Sequence, residues 1–409
     1  MITWRSGVVE KVGRGWTGAL ELTVAVADGV QGPGPVSVRA LAYPELVGRP
    51  AVGDTVLLNV SALARGLGTG GYALVVAPGT LPADPPPGPG HLVKARYTPL
   101  QAMVLGVDDQ ESPHHEVLRD ADDLAGLPVV VADLHSALPA VVAGIRYADA
   151  RASAAGSGVP PLRVAYVMTD GGALPAWFSM AVAGLREAGW LASCLTAGQA
   201  FGGDHEAVTV HTALLAARHV VGADVVVVAQ GPGNLGTGTR WGFSGVAAGE
   251  AVNAAAVLGG RPVASLRVSG ADPRERHLGI SHHSLTAYGR VALAPADVVV
   301  PVFDPAAAPA VDAAPSTAGL GVAVPDAEEH PEAHLAAVGR RVGQQVRALG
   351  APVGRHRLVD VPAGADLLAA LGGSPVRLST MGRGLAQDPA AFLAAAAAGA
   401  HAARLARGV

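Results

Sequence analysis

The sequence has 409 residues, which is enough for two or three domains with a large hydrophobic core. Half of the residues are apolar, only 15% are charged and the formal net charge is −4, so a nucleic-acid-binding surface is not indicated. The single cysteine, Cys194, excludes an internal disulfide and a metal site with several thiolate ligands.

The first residues, Met1–Ser6, lack the charged-then-apolar pattern of a signal peptide. No run of about 18 strongly apolar residues occurs without interruption. These two features predict a soluble, cytoplasmic protein without a membrane partner.

Residues 1–79 are predicted to form a small all-β, barrel-like module, closed or half-open. Apolar and polar residues alternate in short runs between glycine-rich turns, as in β-strands. The runs are Gly7–Val12, Ala19–Val24, Val36–Ala42, Asp54–Val60 and Tyr72–Val76. No chemistry is evident here, so a structural or oligomeric role is the simpler interpretation. The proline- and glycine-rich residues 80–90 are predicted to be a stiff linker and a domain boundary.

Residues 91–409 are predicted to form an α/β domain with a mostly parallel, doubly wound sheet. Apolar runs alternate with segments of helical spacing, which indicates right-handed βαβ crossovers. The predicted strands are Met103–Val107, Pro128–Ala132, Leu162–Met168, Leu191–Leu195, Asp224–Ala229, Val263–Val268, Val298–Phe303, Arg357–Val361 and Val376–Ser379. The predicted helices include Ala176–Ala188, His211–His219 and Phe243–Leu258. Loops at 156–161 and 305–315 could divide the domain into two lobes.

Polar or glycine residues follow nearly every predicted strand. Asp133 and His135 follow the second strand, and Asp170 follows the third. Turns need such residues in any case, so each signal alone is weak. Because the carboxyl ends of parallel strands share one edge, these side chains are nevertheless expected to converge in a crevice.

A glycine-rich loop follows the predicted strand Asp224–Ala229. Its glycines let backbone N–H groups approach an anion, and its threonines and arginine add donors and charge. The candidate anion- or substrate-binding residues are Gly231, Gly233, Asn234, Gly236, Thr237, Gly238, Thr239 and Arg240. The loop lacks the Gly-Lys-Ser/Thr of a P-loop and fits the dinucleotide-binding pattern poorly, with Pro232 at its second position. A tight structural turn is the alternative.

Histidines and arginines are concentrated between Arg267 and Ser284. His277, His282 and His283 are candidates for acid/base catalysis, and Arg276 for binding an anion. Two of the histidines could instead bind a metal ion, with Asp272, Asp170 or Asp133 completing the site, although the spacing matches no familiar metal motif. A polar surface loop is the third interpretation.

Two further patterns are weaker. Lys94 and Arg96 alternate onto one face after the linker, where they could reach the crevice or face solvent. Asp133, His135 and Ser136 are close in sequence, but Ser136 lacks the glycines of a nucleophile elbow, so the pattern does not favour a serine hydrolase.

Several separate motifs resemble one known family. They are the segment Lys94–Gln101, the run Gly231–Asn234 with Gly236–Thr239, the run Gly242–Gly245, and the segment His277–His283. Together they resemble the DUF3866 family, uncharacterised proteins of actinobacteria and related Gram-positive bacteria. The resemblance implies a bacterial cytoplasmic protein, and it assigns no catalytic residue.

The residues favour an enzyme of hydrolase or transferase type that binds a small anionic metabolite, with a phosphorylated metabolite as one candidate, at the carboxyl edge of the sheet. His277, His282 or His283 would transfer protons, and Asp170 would orient them or bind metal. Asp133, His135 and the glycine loop would contact the substrate. The cofactor is left open, with a divalent metal as one candidate, and a homo-oligomer is compatible with the sequence. The alternative is a non-catalytic sensor or scaffold that binds an effector.

Overall fold

The computed structural model describes residues 2–67, 70–80, 84, 86, 88–156, 158–303, 324–350 and 355–409. The predicted loop at 305–315 lies outside these residues, as do parts of the linker at 80–90 and of the loop at 156–161.

The first part of the chain is a closed five-stranded barrel. Its elements are β1 (Trp4–Trp16), β2 (Ala19–Val26), β3 (Val36–Ala42), α1 (Pro44–Val47), β4 (Thr55–Asn59), α2 (Ser61–Ala64) and β5 (Ala73–Pro78). The strands close in the order β1-β2-β3-β5-β4, with β3 parallel to β5, which is the arrangement of OB-type barrels. Alternate side chains such as Leu22 and Val24 point inward and are fully buried, as the period-two pattern predicts. The predicted barrel is confirmed.

The rest of the chain alternates strands and helices. Its strands are β6 (Leu92–Lys94), β7 (Ala102–Val104), β8 (Pro128–Val131), β9 (Val164–Thr169), β10 (Ser193–Ala197), β11 (His205–Ala207), β12 (Val225–Gln230), β13 (Arg261–Ser265), β14 (Val268–Ser269), β15 (Gly279–Ile280), β16 (Asp297–Val302), β17 (Arg357–Pro362), β18 (Ser379–Thr380) and β19 (Arg383–Gly384). Its helices are α3 (His115–Leu118), α4 (Leu138–Ala154), α5 (Met180–Glu187), α6 (Val210–His219), α7 (Ala247–Val257), α8 (His282–Thr286), α9 (Pro331–Gln345), α10 (Ala365–Gly372) and α11 (Pro389–Ala406).

Eight of these strands form one parallel sheet in the order β11-β10-β9-β12-β8-β13-β16-β17. The central strands are continuous valine-rich runs because helices cover both faces, and every residue of β8 and β12 is buried. The α/β fold class predicted from the sequence is therefore confirmed. None of the described helices is both long enough and apolar enough to span a bilayer.

Two predicted strands do not belong to this sheet. Met103–Val107 contributes to the short antiparallel pair β6–β7, and Val376–Ser379 only reaches the small hairpin β18–β19. Met103 is 72% exposed, so its apolar run is not one that the sheet buries on both faces. The three residues of the edge strand β11 form no apolar run, so the sequence pattern does not indicate this strand.

The sheet has a topological switch point at β8. After β8 the chain continues to β9, on one side of β8. After β12 the chain crosses to β13, on the other side of β8. Helices α4, α10 and α11 pack together on one face, and α6 and α7 pack together on the opposite face. The carboxyl ends of β8, β12 and β13 thus border a crevice where open α/β sheets bind ligands.

Candidate functional site

Three polar side chains meet at the switch point. Gln230 ends β12, and its Nε2 donates a hydrogen bond to the backbone oxygen of Asp133, the second residue after β8 (3.0 Å). Arg267 is the second residue after β13, and its backbone N–H donates a hydrogen bond to Oγ of Ser284 in helix α8 (2.9 Å). A Cβ on Gly245 would lie 2.6 Å from the oxygen of Asp133, so only glycine allows the start of α7 to approach this closely.

The carboxyl group of Asp133 is buried, with 2% of the residue exposed. Its Oδ2 lies 3.9 Å from Nδ1 of His283 and has no hydrogen-bond partner within the described part of the chain. Burial raises the pKa of Asp133 to about 6, although the charge of Arg267 opposes this shift. Asp133 is thus a carboxyl group with one oxygen aimed at an imidazole.

His277, His282 and His283 form a compact triad. Their ring centroids are 4.9 Å apart for His277 and either partner, and 4.4 Å apart for His282 and His283. Ser281 organises the triad because its hydroxyl caps α8: it accepts a hydrogen bond from the backbone N–H of His283 and bonds Nδ1 of His277 at 2.7 Å. The three histidines predicted as catalytic therefore share one site.

The environment keeps the three imidazoles neutral. Burial and the charge of Arg267 lower the pKa of His277 to about 3 and hold the pKa of His283 well below its ordinary value. Burial and nearby arginines also lower the pKa of His282. Nε2 of His282 is buried without a hydrogen-bond partner among the described residues. At neutral pH these rings are unprotonated, so their lone pairs can accept a hydrogen bond or bind a cation.

The glycine loop reaches the triad through Phe243. The Phe243 ring stacks on the imidazole of His283 with centroids 3.8 Å apart and planes 3° from parallel. The tip of the loop, residues 235–241, is exposed and forms a flap closed by an antiparallel bridge between Gly236 and Phe243. The predicted loop and the predicted histidines therefore lie side by side.

Most polar groups of the flap bind each other. The N–H of Thr237 donates to the oxygen of Gly242 (2.8 Å), the N–H of Gly242 donates to Oγ1 of Thr239 (3.1 Å), and the two threonine hydroxyls lie 3.3 Å apart. Oδ1 of Asn234 accepts from Nε2 of Gln230 (2.9 Å). These bonds give the flap its shape and leave fewer free donors than the sequence suggested.

Glycine is needed at different positions of the loop for different physical reasons. A Cβ on Gly231 would lie 2.3 Å from the oxygen of Ala173, and Gly233 and Gly238 have φ of 91° and 79°. A Cβ on Gly238 would still be 4.0 Å from Nη2 of Arg276, so the flap faces this arginine.

An arginine-lined pocket of about 710 Å³ opens beside the triad. His282 lines it together with Gly238, Leu285, Thr286, Gly289, Ala348, Arg240, Arg276, Arg290 and Arg355. No carboxylate is found among these described lining residues, and Arg240, Arg276 and Arg290 form no ion pair within the described ranges. Four guanidinium groups without a counter-charge attract anions.

The segment that carries the triad is fixed by a buried polar network. Asp388, fully buried at the start of α11, accepts hydrogen bonds from Oγ of Ser269 (2.6 Å), from the N–H of Gly270 (2.9 Å) and from Nε of Arg383 (3.1 Å). Asp272 binds Nε and Nη2 of Arg274 (both 2.9 Å). Although burial opposes it, bonding to Arg274 holds the pKa of Asp272 well below its usual range.

His135 and Asp170 lie apart from the triad. Nδ1 of His135 bonds the hydroxyl of Tyr166 (3.0 Å) and Nε2 bonds the hydroxyl of Ser179 (2.7 Å), while burial lowers the pKa of His135 to about 4. Oδ2 of Asp170 accepts from the N–H of Gln199 (2.8 Å). The site therefore joins Asp133 to the histidines, but places His135 and Asp170 towards β9 and β10.

A second pocket, of about 900 Å³, lies on that side and is lined in part by Arg96, Tyr97 and Gln199. Lys94 neither lines it nor faces solvent. Its ammonium group is fully buried and donates to the oxygens of Ala200 and Ala207 (both 2.9 Å). Lys94 thus anchors β6 to the sheet edge.

Several members of the site are not evident from the sequence. Arg267 and Phe243 lie within the predicted segments, but nothing in the sequence distinguished them from their neighbours. Arg290 and Arg355 stand outside any motif, and only the folding of the chain brings Arg355 to Gly289, whose oxygen accepts its hydrogen bond (2.9 Å). For these arginines, the signal that the sequence offers is their charge in a chain with few charged residues.

A model of one protein family, described as protein of unknown function (DUF3866), matches residues 39–399. No curated protein and no solved structure matches the chain.

Proposed function

The chain belongs to the DUF3866 family of proteins of unknown function, and we propose that it is an enzyme of hydrolase or transferase type acting on a small anionic metabolite. One observation carries this proposal: His282, whose buried Nε2 has no partner in the described residues, lines the same pocket as four arginines. A base beside an anion-binding surface suits the transfer of an acyl or phosphoryl group.

The arginines would bind and orient the substrate. Arg240 comes from the flap, Arg276 from the triad segment, and Arg290 and Arg355 from elements beyond α8. Guanidinium groups bind phosphate or carboxylate oxygens through paired N–H donors, and here no described carboxylate competes for them. The flap residues that line the pocket, Gly238 and Arg240, are exposed, which leaves the pocket accessible to a small ligand.

The imidazoles would move protons. Burial and arginine charge lower the pKa values of the three rings, so the rings are neutral at pH 7. An anionic substrate bound by the arginines would offset their charge and raise the basicity of the imidazoles, which could then accept a proton from water or from a substrate hydroxyl. Asp133 lies next to His283 and would stabilise the imidazolium that forms. Asp170, predicted to orient the histidines or bind metal, and His135, predicted to contact the substrate, would take no part in this step, because they bond Gln199 and Tyr166 instead.

A direct test measures anion binding by thermal shift and calorimetry. Inorganic phosphate, nucleotides and sugar phosphates are screened with and without a divalent metal. We expect phosphate to stabilise the protein, with an effect that weakens in salt, and Arg276→Gln to lower its affinity at least tenfold. Arg14→Gln, which removes the same charge from the exposed side of β1, is the matched control.

Turnover separates the two functional alternatives. Release of phosphate from small phosphomonoesters, lost in His282→Gln, supports an enzyme. Tight binding with no turnover of any ligand would indicate the sensor. A flat thermal response across the whole panel, or an Arg276→Gln variant that binds like the Arg14→Gln control, would overturn the proposal.

A further inference from the structure

The three imidazoles of the triad face one another closely. One ring nitrogen from each of His277, His282 and His283 lies within 4.8 Å of the others. His277 and His283 are buried, and Ser281 and Phe243 hold their rings in place. Such a cluster of neutral nitrogen donors next to a ligand pocket resembles a metal site that keeps one coordination position open.

We propose that His277, His282 and His283 bind one divalent transition-metal ion, with Zn²⁺ as the ion that suits three imidazoles best. The geometry of the triad is sufficient ground for metal binding, whereas any role of the ion in a reaction rests on the proposed function. An ion held here would leave a coordination position for an anion in the arginine pocket, because His282 belongs to both.

Two of the rings already have a nitrogen available. Nδ1 of His277 is engaged by Oγ of Ser281, which leaves Nε2 as its ligand atom. Nε2 of His282 is buried and has no hydrogen-bond partner within the described residues. An unpaired buried nitrogen destabilises the fold, and coordination to a metal ion would give this nitrogen a partner.

His283 needs a rearrangement, and the structure contains the group that would support it. Nη1 of Arg267 lies 3.1 Å from Nδ1 of His283, so the ring hydrogen is on Nε2 while this bond is kept. Coordination through Nε2 would place the hydrogen on Nδ1. There the unpaired Oδ2 of Asp133, at 3.9 Å, is the acceptor that a metal-binding histidine usually has.

The required movement is small. In a tetrahedral site with metal–nitrogen bonds of about 2.0–2.1 Å, the ligand nitrogens are about 3.4 Å apart. The nitrogens of the triad, which lie within 4.8 Å of one another, must therefore approach by up to about 1.4 Å, which side-chain rotations can supply. Arg267 would release His283 and turn towards the crevice.

The surrounding arginines make metal binding depend on anions. Arg267, Arg274 and Arg276 all act on the triad electrostatically and disfavour an added cation. Asp133 offsets one of these charges, and an anion in the pocket would offset others. By linkage, we expect phosphate to raise the affinity for the metal and the metal to raise the affinity for phosphate by the same factor.

The experiment titrates chelator-treated full-length protein with Co²⁺ alone, followed by its visible absorption, and with Zn²⁺ by calorimetry. We expect one ion per chain, the intense visible bands of a four-coordinate cobalt site, and an affinity that phosphate increases. His282→Ala should lower the affinity at least 100-fold, whereas His211→Ala, an exposed histidine of α6, should not change it.

Asp133→Asn gives a second readout, because it keeps the shape of the side chain but weakens the acceptor for His283. We expect a loss of affinity of roughly 10- to 100-fold with the cobalt spectrum preserved. Should the histidine variants not fold, the wild-type spectrum and stoichiometry decide the question. Absence of binding at micromolar Co²⁺ and Zn²⁺, or binding unchanged in His282→Ala, would overturn the metal site.

The two proposals fail in different ways. Phosphate binding to the metal-free protein, sensitive to Arg276→Gln, would persist if only the metal site is wrong. A four-coordinate cobalt site without any response to phosphate or phosphomonoesters would instead contradict the proposed function and leave the metal site standing.

Discussion

The Phe243 ring lies parallel to the imidazole of His283, with centroids 3.8 Å apart and an interplanar angle of 3°. This stack joins two segments that the sequence separates by forty positions, the glycine flap and the histidine helix α8. Phe243 is 4% exposed, so the contact is buried and restricts how His283 can rotate.

Phe243→Ala tests what this stack contributes. We expect a loss of about 3–5 kcal/mol in the free energy of unfolding and, because His283 can then turn freely, about a tenfold loss in cobalt affinity. Phe201→Ala is the matched control: Phe201 is 3% exposed but packs on Trp177. Chemical denaturation and cobalt titration measure the two effects. Equal cobalt affinities in the two variants would show that the stack does not orient His283.

His135 should make stability depend on pH. Burial lowers its pKa from an ordinary 6.5 to about 4 in the folded protein. Between these values the unfolded chain binds more protons, so the contribution of His135 is complete above pH 6.5 and is lost as the pH falls towards 4. The shift corresponds to at most about 3 kcal/mol.

Unfolding in urea between pH 4 and 7.5 measures this contribution. His135→Gln should be less stable than wild type at pH 7.5, and the difference should shrink as the pH falls. The same substitution at the exposed His211 provides the comparison. A constant difference between wild type and His135→Gln across this range would mean that His135 does not titrate as the buried environment requires.

The sequence predicts the architecture better than it predicts the site. The uninterrupted valines of Val225–Gln230 indicate a strand buried on both faces, and alternation at Ala19–Val26 indicates a barrel strand with one buried face. Short runs fail: Met103 is apolar yet exposed, and His205–Ala207 forms a strand without an apolar run. Local apolar patterns therefore predict the elements that are buried in a large core.

The site depends on strand order, which no local pattern contains. Asp133 and the triad meet because β8 and β13 are neighbours, whereas Asp170 follows β9, on the far side of β12, and bonds Gln199 instead. Arg355 joins the pocket from a segment with no motif. The flap and the histidines lie side by side because both follow strands next to β8.

The ion pair between the partly buried Arg383 and the fully buried Asp388 should couple strongly. Nε of Arg383 donates to Oδ2 of Asp388, which is fully buried and also holds Ser269 and Gly270. Asp388→Asn leaves these donors facing an amide, so we expect a loss of about 3–5 kcal/mol in unfolding free energy. In a double-mutant cycle, Arg383→Gln should destabilise the Asp388→Asn protein less than it destabilises wild type. We expect a coupling energy of about 1–3 kcal/mol.

Arg404→Gln is the control for this cycle, because Arg404 is an exposed arginine on α11, the helix that Asp388 precedes. Its effect should add to that of Asp388→Asn within about 0.5 kcal/mol. If the cycle with Arg383 were also additive, Arg383 would not contribute to holding the start of the histidine segment.

The last prediction concerns the contact of α4 with α11, which covers one face of the sheet. A Cβ on Gly144 would lie 1.9 Å from the oxygen of Ala396, and a Cβ on Gly399 would lie 1.9 Å from the oxygen of Val141. Both obstacles are backbone atoms, so Gly144→Ala must push the helices apart, at a cost of about 1–3 kcal/mol or more. This cost should exceed the gain of about 1 kcal/mol that alanine brings to a helix. Gly372→Ala, in α10 with nothing within 4 Å of the added Cβ, should show that gain alone. Urea unfolding compares the two variants, and a Gly144→Ala protein as stable as Gly372→Ala would mean that α4 and α11 do not need glycine to pack this closely.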